Sequence, residues 1–135
     1  MPSRPRTGPR PGRGRLSRSA DFDRVIRRGR SLGAREFVLY AFPREESGPP
    51  RLGLSVSRKV GGAVQRNRVK RMLREAFALE SDRLPPATDV VVVARQEAGV
   101  LVEREGLNGV RGVLKGLIER LLEAQGGSGL KGEAA

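Results

Sequence analysis

The side chains that most enzymes use for acid–base and nucleophilic chemistry are scarce in this chain. It contains no Cys and no His, which excludes thiolate nucleophiles, zinc sites built on these ligands and the commonest general base at neutral pH. Ser55 lies in a GLSVS segment similar to a nucleophile elbow, but no His exists to activate it. Asp21 and Asp23 do not share a helix face and suit an N-terminal turn instead. The sequence therefore predicts no catalytic site of the chain's own.

Cationic side chains, by contrast, are concentrated in two segments. The 135 residues include 27 Lys and Arg against 15 Asp and Glu, which gives a net charge of +12. Residues 1–19 hold six Arg, residues 51–74 hold eight basic residues, and neither segment contains an acid. Charge needed only for solubility would be spread more evenly. The segregation therefore predicts a polyanionic partner.

The second segment contains the most specific pattern, SVSRKVGGAVQRNRVKRMLREAF at residues 55–77. A strand end delivers Arg58 and Lys59, a Gly pair turns the chain, and a helix follows over residues 63–79. A solvated charged face would normally alternate Arg with Glu, yet no acid occurs from residue 51 until Glu75. The pattern favours a phosphate-binding helix face, with an apolar stripe toward the core and these polar residues opposite or beside it: Arg66, Asn67, Arg68, Lys70, Arg71 and Arg74.

Other elements must position this helix. A short helix is predicted over residues 20–28, and strands over 35–42 and 51–57, which a turn-rich loop connects as a suggested hairpin. Residues 89–94 form a continuous apolar run that is typical of a strand covered on both faces. Apolar residues at helical spacing predict a last helix over about 107–125. The elements suffice for one small α/β domain.

Alternation along the two strands gives the sheet unlike faces. One face is aliphatic and suits a core. On the other, Ser55 and Ser57 of one strand accompany Val38, Tyr40 and Phe42 of its neighbour. This face is either a shallow floor for a flat ligand such as a base or ordinary core under a helix, and periodicity leaves both open.

The ends of the chain differ from its centre. We expect a disordered basic arm at 1–15, a single domain at 16–125 and a disordered tail at 126–135. The longest apolar run, residues 90–94, is far below the roughly 20 residues of a membrane helix, and the arm lacks the apolar stretch of a secretory signal. Four Pro residues in the arm also argue against an amphipathic presequence. The expected location is the cytoplasm.

At residues 55–77 the sequence resembles the protein subunit of bacterial ribonuclease P. The triplet at residues 66–68, inside the longer pattern VSRKVGxAVxRNRxKRxLREAF, is the most diagnostic feature of that family. The similarity extends from about Leu16 to Leu122 and includes DF at 21–22, RRGR at 27–30, FVLY at 37–40 and VVVVAR at 90–95. That is most of the expected domain.

The resemblance implies a fold. The family has a two-layer α/β (α+β) sandwich of element order αβββαβα, like the second domain of ribosomal protein S5. Its four-stranded, mainly antiparallel sheet includes a short extra strand that would fall near residues 31–34. The basic helix would form a left-handed βαβ crossover, against the strong right-handed default.

The resemblance also implies a function. In the family, the protein is the RNA-binding subunit of an endoribonuclease that removes the 5′ leader of precursor tRNA, and the RNA with its Mg²⁺ ions hydrolyses the phosphodiester. The expected partners are the catalytic RNA and precursor tRNA, with no membrane and no obligatory protein partner. No cofactor is assigned to the protein side chains, and Mg²⁺ is expected in the holoenzyme, held mainly by the RNA. The RNR helix residues given above would face the catalytic RNA. A cleft would take the single-stranded leader through Phe22, Ile26, Val38, Tyr40, Ser55, Ser57, Arg58 and Lys59.

One cleft position departs from the family pattern. Ile26 stands where a second aromatic residue often occurs one helical turn after Phe22, so apolar contact replaces stacking there. Two other functions fit the charge and size: a structural RNA-binding protein of the ribosome, and a helix-turn-helix DNA regulator. The second would require a helix and turn before the basic helix, where the sequence predicts a strand and a Gly pair.

Overall fold

The computed structural model describes residues 15, 16 and 19–134, with side chains described as far as residue 124. This part of the chain forms α1 (Ser19–Arg28), β1 (Arg30–Gly33), β2 (Phe37–Pro43), β3 (Arg51–Val56), α2 (Ala63–Glu80), β4 (Thr88–Ala94) and α3 (Glu97–Ala134). Short 3₁₀ turns follow β3 and α2, at Arg58–Val60 and Ser81–Arg83. The predicted order αβββαβα is confirmed. Within the described residues, no helix is both long and apolar enough to cross a bilayer.

The strands form one sheet in the order β1-β2-β4-β3. β1 with β2 and β2 with β4 are antiparallel, whereas β3 runs parallel to β4 and connects to it through α2. The predicted hairpin between residues 35–42 and 51–57 is therefore wrong, because β4 lies between these two strands. The physical reason is burial: β4 is the most apolar strand, and a central place covers its valines on both sides. The tight hairpin present is β1–β2.

Two layers make the main core. α2 and α3 cover one sheet face, where Phe37 and Leu39 of β2 meet Val90 and Val92 of β4. Leu52, Leu54 and Val56 of β3 pack toward this core and belong to the aliphatic face that the sequence predicts, although only Leu52 is buried. α1 lies on the opposite face over a smaller cluster of Leu16, Val25 and Val91. The sheet is thus fully covered on one side and partly covered on the other.

The predicted last helix is preceded by a helical segment that the sequence did not predict. α3 (Glu97–Ala134) consists of two helices that meet at Gly106, whose φ of 63° and ψ of −147° lie outside helical space, so the second helix begins just after Gly106, as predicted. The added segment before Gly106 buries Ala98, Leu101 and Val102 in the main core. Residues 126–134 are within the bounds of α3 but their side chains lie outside the description, so the predicted disorder of the tail stays a prediction. The predicted arm lies outside the described residues except for Arg15.

α1 crosses the sheet rather than following a strand. At its start, the Phe22 ring lies against Gly53 of β3, and just beyond its end Gly29 lies against the Ala41 carbonyl of β2. A Cβ on Gly29 would come within 2.4 Å of the Val25 carbonyl oxygen and 2.7 Å of the Ala41 oxygen, and neither backbone atom can easily give way. The close approach of α1 to the sheet therefore requires glycine at position 29.

We expect Gly29→Ala to destabilise the fold by about 1–3 kcal/mol, because overpacking against backbone forces α1 away from the sheet. Chemical denaturation of both proteins measures the change in the free energy of unfolding. Gly33→Ala is the matched control, since a Cβ there meets no atom within 4 Å. Equal stability of the two variants would contradict the close packing.

A buried ion cluster fixes the end of the sheet nearest the loop between β2 and β3. Asp89, which is fully buried, accepts hydrogen bonds from Arg51 Nε and Nη2 and from Arg44 Nη1, each at 2.9 Å. Arg44 Nη2 also donates to the Pro49 carbonyl at 2.7 Å. The cluster joins the loop to β3 and β4, so it positions the strand that leads to the basic helix.

Candidate nucleic-acid interface

The sheet face beneath α1 carries the predicted cleft residues. Strand register places Val38, Val93 and Ser55 side by side in one row across β2, β4 and β3. Val38 and Val93 are half-buried and Ser55 is exposed, so α1 leaves this row open. Ile26 of α1 is 38% exposed. Val38, Val93 and Ser55 form an open floor, and Val93 is a floor residue that the sequence prediction missed.

Tyr40 and Phe22 lie on the same sheet face but at opposite ends of the next row. Tyr40 is on β2, Phe22 lies over Gly53 of β3, and Val91 of β4 is between them. Strand spacing alone separates them by about 10 Å. Both pack on the Val25 and Val91 cluster and remain half-buried. The interpretation as core under a helix is therefore confirmed in part, since α1 covers the aromatics incompletely, and the interpretation as a floor for a base stays a prediction.

The turn after β3 presents the next predicted residues. Arg58 and Lys59 are exposed in the 3₁₀ turn, and the Ser57 hydroxyl caps this turn by accepting the Lys59 N–H at 3.3 Å. Behind the turn, the Gln65 side chain occupies the space that a Cβ on Gly61 or Gly99 would need, and it donates to Glu103 at 3.3 Å. Ser57 thus has a structural role that the sequence did not reveal.

α2 presents its polar residues on two distinct surfaces. Its buried side contains Val69, Leu73, Ala76 and Phe77. Asn67, Arg68 and Arg71 line a shallow outward groove together with Val64, which is 84% exposed. Lys70 and Arg74 line a second groove beside β3. Arg66 and Lys70 are half-buried, whereas the other four predicted RNA-facing residues are exposed.

The two buried carboxylates of the described residues, Asp89 and Glu80, are paired with arginines outside α2. Glu80 accepts from Arg111 Nε at 2.7 Å and also pairs with Arg83, and the hydrogen bond from Arg111 leads the causes that lower the pKa of Glu80. No ion pair of the described residues includes a cation of α2. The positive charge of α2 is therefore left for an external anion.

Candidate metal ligands do not cluster among the described residues. They contain no group of three or more Asp, Glu, His or Cys side chains arranged to hold a metal. The buried carboxylates Asp89 and Glu80 are already engaged by arginines. Mg²⁺ usually binds through one or two carboxylates together with waters and phosphate oxygens. The expected absence of a metal on the protein therefore stays a prediction.

Comparison with known proteins identifies the family that has this interface. The family model described as Ribonuclease P matches residues 11–117, which includes β3, the turn and all of α2. The chain belongs to the ribonuclease P protein family. The ribonuclease P protein component of Bacillus pumilus is 41% identical over 93 residues, which cover 69% of this chain and 78% of the relative. The ribonuclease P protein component of Exiguobacterium sibiricum is 42% identical over 101 residues, which cover 75% of this chain and 87% of the relative.

Solved ribonuclease P proteins share the fold. A Staphylococcus aureus ribonuclease P protein superposes with a TM-score of 0.71 at 34% identity, covering 80% of this chain and 94% of its own. The Thermotoga maritima ribonuclease P protein superposes with a TM-score of 0.70 at 34% identity, covering 78% of this chain and 96% of its own. Membership in the ribonuclease P family decides against a ribosomal protein. A strand and a 3₁₀ turn precede α2 here, so the helix-turn-helix alternative also fails.

Proposed function

We propose that this chain is the RNA-binding subunit of ribonuclease P and assists a catalytic RNA in removing the 5′ leader of precursor tRNA. The observation that carries the proposal is α2, whose exposed cations stand on a domain of the ribonuclease P protein family. Arginine forks suit RNA phosphates, and the ion pairs among the described residues include no cation of α2. The protein contributes affinity and positioning in the cytoplasm, and needs no further protein partner for this role.

The catalytic groups are proposed to be in the RNA subunit. The chain lacks His and Cys, and its described carboxylates form no metal cluster. Mg²⁺ supplies metal-assisted hydrolysis when bound. We assign its ligands mainly to the RNA, because the proposed interface residues of the protein include no Asp or Glu.

The open row of the sheet is proposed to take the single-stranded leader. The Val38, Val93 and Ser55 floor can hold a base by apolar contact, the exposed Ile26 of α1 is proposed to form a side wall, and Tyr40 adds a partly exposed aromatic ring. Arg58 and Lys59 lie in the turn after β3, where the leader RNA would extend beyond the floor. Stacking on an aromatic side chain contributes roughly 1–3 kcal/mol per base.

The test is reconstitution. The full chain is added to a ribonuclease P RNA at a Mg²⁺ concentration too low for the RNA alone, and cleavage of precursor tRNA is followed. We expect cleavage at the 5′ end of the mature tRNA to be restored in a protein-dependent manner. If adding the protein leaves cleavage at the level of the RNA alone under every assembly condition tried, the proposed function is wrong.

Tyr40→Ala is expected to weaken binding of precursor tRNA to the reconstituted enzyme by about 10-fold, because one base loses its stacking partner. Binding of mature tRNA, which has no leader, should not change. Tyr40→Phe keeps the ring and serves as the control. Equal losses for precursor and mature tRNA would contradict the leader assignment.

A further inference from the structure

A second groove runs along the outer edge of β3, apart from the open row of Val38, Val93 and Ser55. Arg15 forms an isolated parallel bridge with Leu52, and the Leu16 N–H donates to the Leu52 carbonyl at 2.9 Å. These contacts bring the start of the described chain beside the sheet edge. The groove is lined from the α1 side by Arg15, Leu16 and Phe22, and from the α2 side by Leu52, Leu54, Lys70 and Arg74.

The cations of this groove come from two separate parts of the chain. Arg66, Lys70 and Arg74 are spaced four residues apart and share one flank of α2. Lys70 and Arg74 line the groove, and Arg15 faces them from across the β3 edge. The Nε of Arg66 is buried and has no hydrogen-bond partner among the described residues. The α2 flank and the N-terminal segment therefore converge on one place.

This convergence is electrostatically unfavourable in the free protein. Burial first, and then the positive charge of Arg15, lower the pKa of Arg74. Among the described residues, the ion pairs formed by carboxylates include neither Arg15 nor Lys70 nor Arg74. Like charges held together without a counter-ion suit an external anion, and the adjacent Phe22 and Leu54 suit an apolar ring.

We infer that the β3-edge groove binds a phosphodiester of an RNA strand between Arg15 and Arg74, with the attached nucleotide against Phe22 and Leu54. The inference rests on the proposed function for the presence of RNA, and it deepens that function by adding a site. Arg15 becomes a binding residue rather than part of a featureless arm. Lys70 and Arg74 act in this groove, separately from Asn67, Arg68 and Arg71 on the outward surface. The phosphodiester can belong to the leader or to the catalytic RNA.

The first test is a double-mutant cycle on the full chain assembled with ribonuclease P RNA. Arg15→Ala and Arg74→Ala should each weaken RNA binding about 10-fold, because each removes one charge-assisted contact to phosphate. The double variant should lose clearly less than the product of the single losses, since both arginines hold one phosphate. Arg104→Ala, an exposed arginine on α3, is the matched control. The inference would be overturned if the loss of the double variant equalled the product of the two single losses, or if the single variants lost no more RNA affinity than Arg104→Ala.

The two sources of phosphate are separated by three measurements on each variant. These are assembly with the catalytic RNA, binding of precursor tRNA, and binding of the same tRNA without its leader. Loss confined to precursor assigns the site to the leader, and loss of assembly assigns it to the catalytic RNA. If the unaltered protein fails to support cleavage, the proposed function fails. If it supports cleavage but the groove variants bind RNA as well as the Arg104→Ala control, the groove inference alone fails.

Arg15→Glu separates binding from folding. The new carboxylate would face Arg74, remove the repulsion between two cations and occupy the anion site. We expect thermal stability equal to or above that of the unaltered chain, together with a loss of RNA binding at least as large as that of Arg15→Ala. RNA binding retained with Glu at position 15 would overturn the inference, as would an equal loss in a charge-matched Arg104→Glu control.

Discussion

Replacing Arg68 and Arg71 together with Ala is expected to weaken assembly with ribonuclease P RNA by roughly 10- to 100-fold at moderate salt, because about two phosphate contacts are lost. Both side chains are exposed on the outward groove of α2 and have no ion pair within the described residues. Each neutralised phosphate contributes about one unit to the slope of log K against log salt. The slope should therefore fall by about 1–2 units.

Arg66 is not included in this pair, although it belongs to the RNR triplet. Its side chain is half-buried and its Nε is shielded from solvent, so truncation would combine lost packing with lost charge. Arg68 and Arg71 avoid this ambiguity. Arg104→Ala with Arg120→Ala removes the same charge from α3 and controls for the net charge of the protein. An unchanged salt slope in the Arg68 and Arg71 variant would show that the outward face does not contact RNA.

Local patterns predicted the helices better than the strand pairing. The bounds of α2 follow from apolar spacing within one segment, and its observed end at Glu80 is one residue from the predicted one. The order of β3 and β4 depends on which surfaces become buried after the whole chain folds, and no local signal of residues 35–57 contains it. The helical segment of α3 before Gly106 was missed because Gly99 and Gly106 interrupt the apolar period.

At the interface, too, features set by local sequence could be predicted, whereas features set by the tertiary fold could not. Exposure of Arg58, Lys59 and Arg68 could be predicted from the sequence, because a strand end and a helix face each expose consecutive or periodic residues. Arg15 could not, since it is one of six similar arginines, and only its bridge to Leu52 and its position facing Arg74 distinguish it. Whether the cleft residues identified from the family resemblance bind the leader stays a prediction, which the Tyr40 experiment tests.

Asp89→Ala is expected to destabilise the protein by about 3–5 kcal/mol, a large share of the 5–15 kcal/mol typical of small domains. The carboxylate is fully buried, and its removal leaves Arg44, only 6% exposed, and Arg51 without their counter-charge. The sheet end and the loop that this cluster fixes would lose their order first. Urea denaturation at neutral pH measures the change, and Asp82→Ala, an exposed acid, is the control, expected to stay within about 0.5 kcal/mol.

The same carboxylate predicts the acid dependence of stability. Burial alone would raise the pKa of Asp89, but hydrogen bonds and charge from Arg51 and Arg44 outweigh it and lower the pKa below the ordinary value of 3.8. A depressed folded-state pKa means that the stabilisation is present above the unfolded value and is lost as the pH falls through the folded one. The unaltered chain should therefore lose stability more steeply than Asp89→Ala below about pH 4, because only it has this carboxylate to protonate. Parallel acid-unfolding curves for the two proteins would show that the cluster does not stabilise the sheet as the structure indicates.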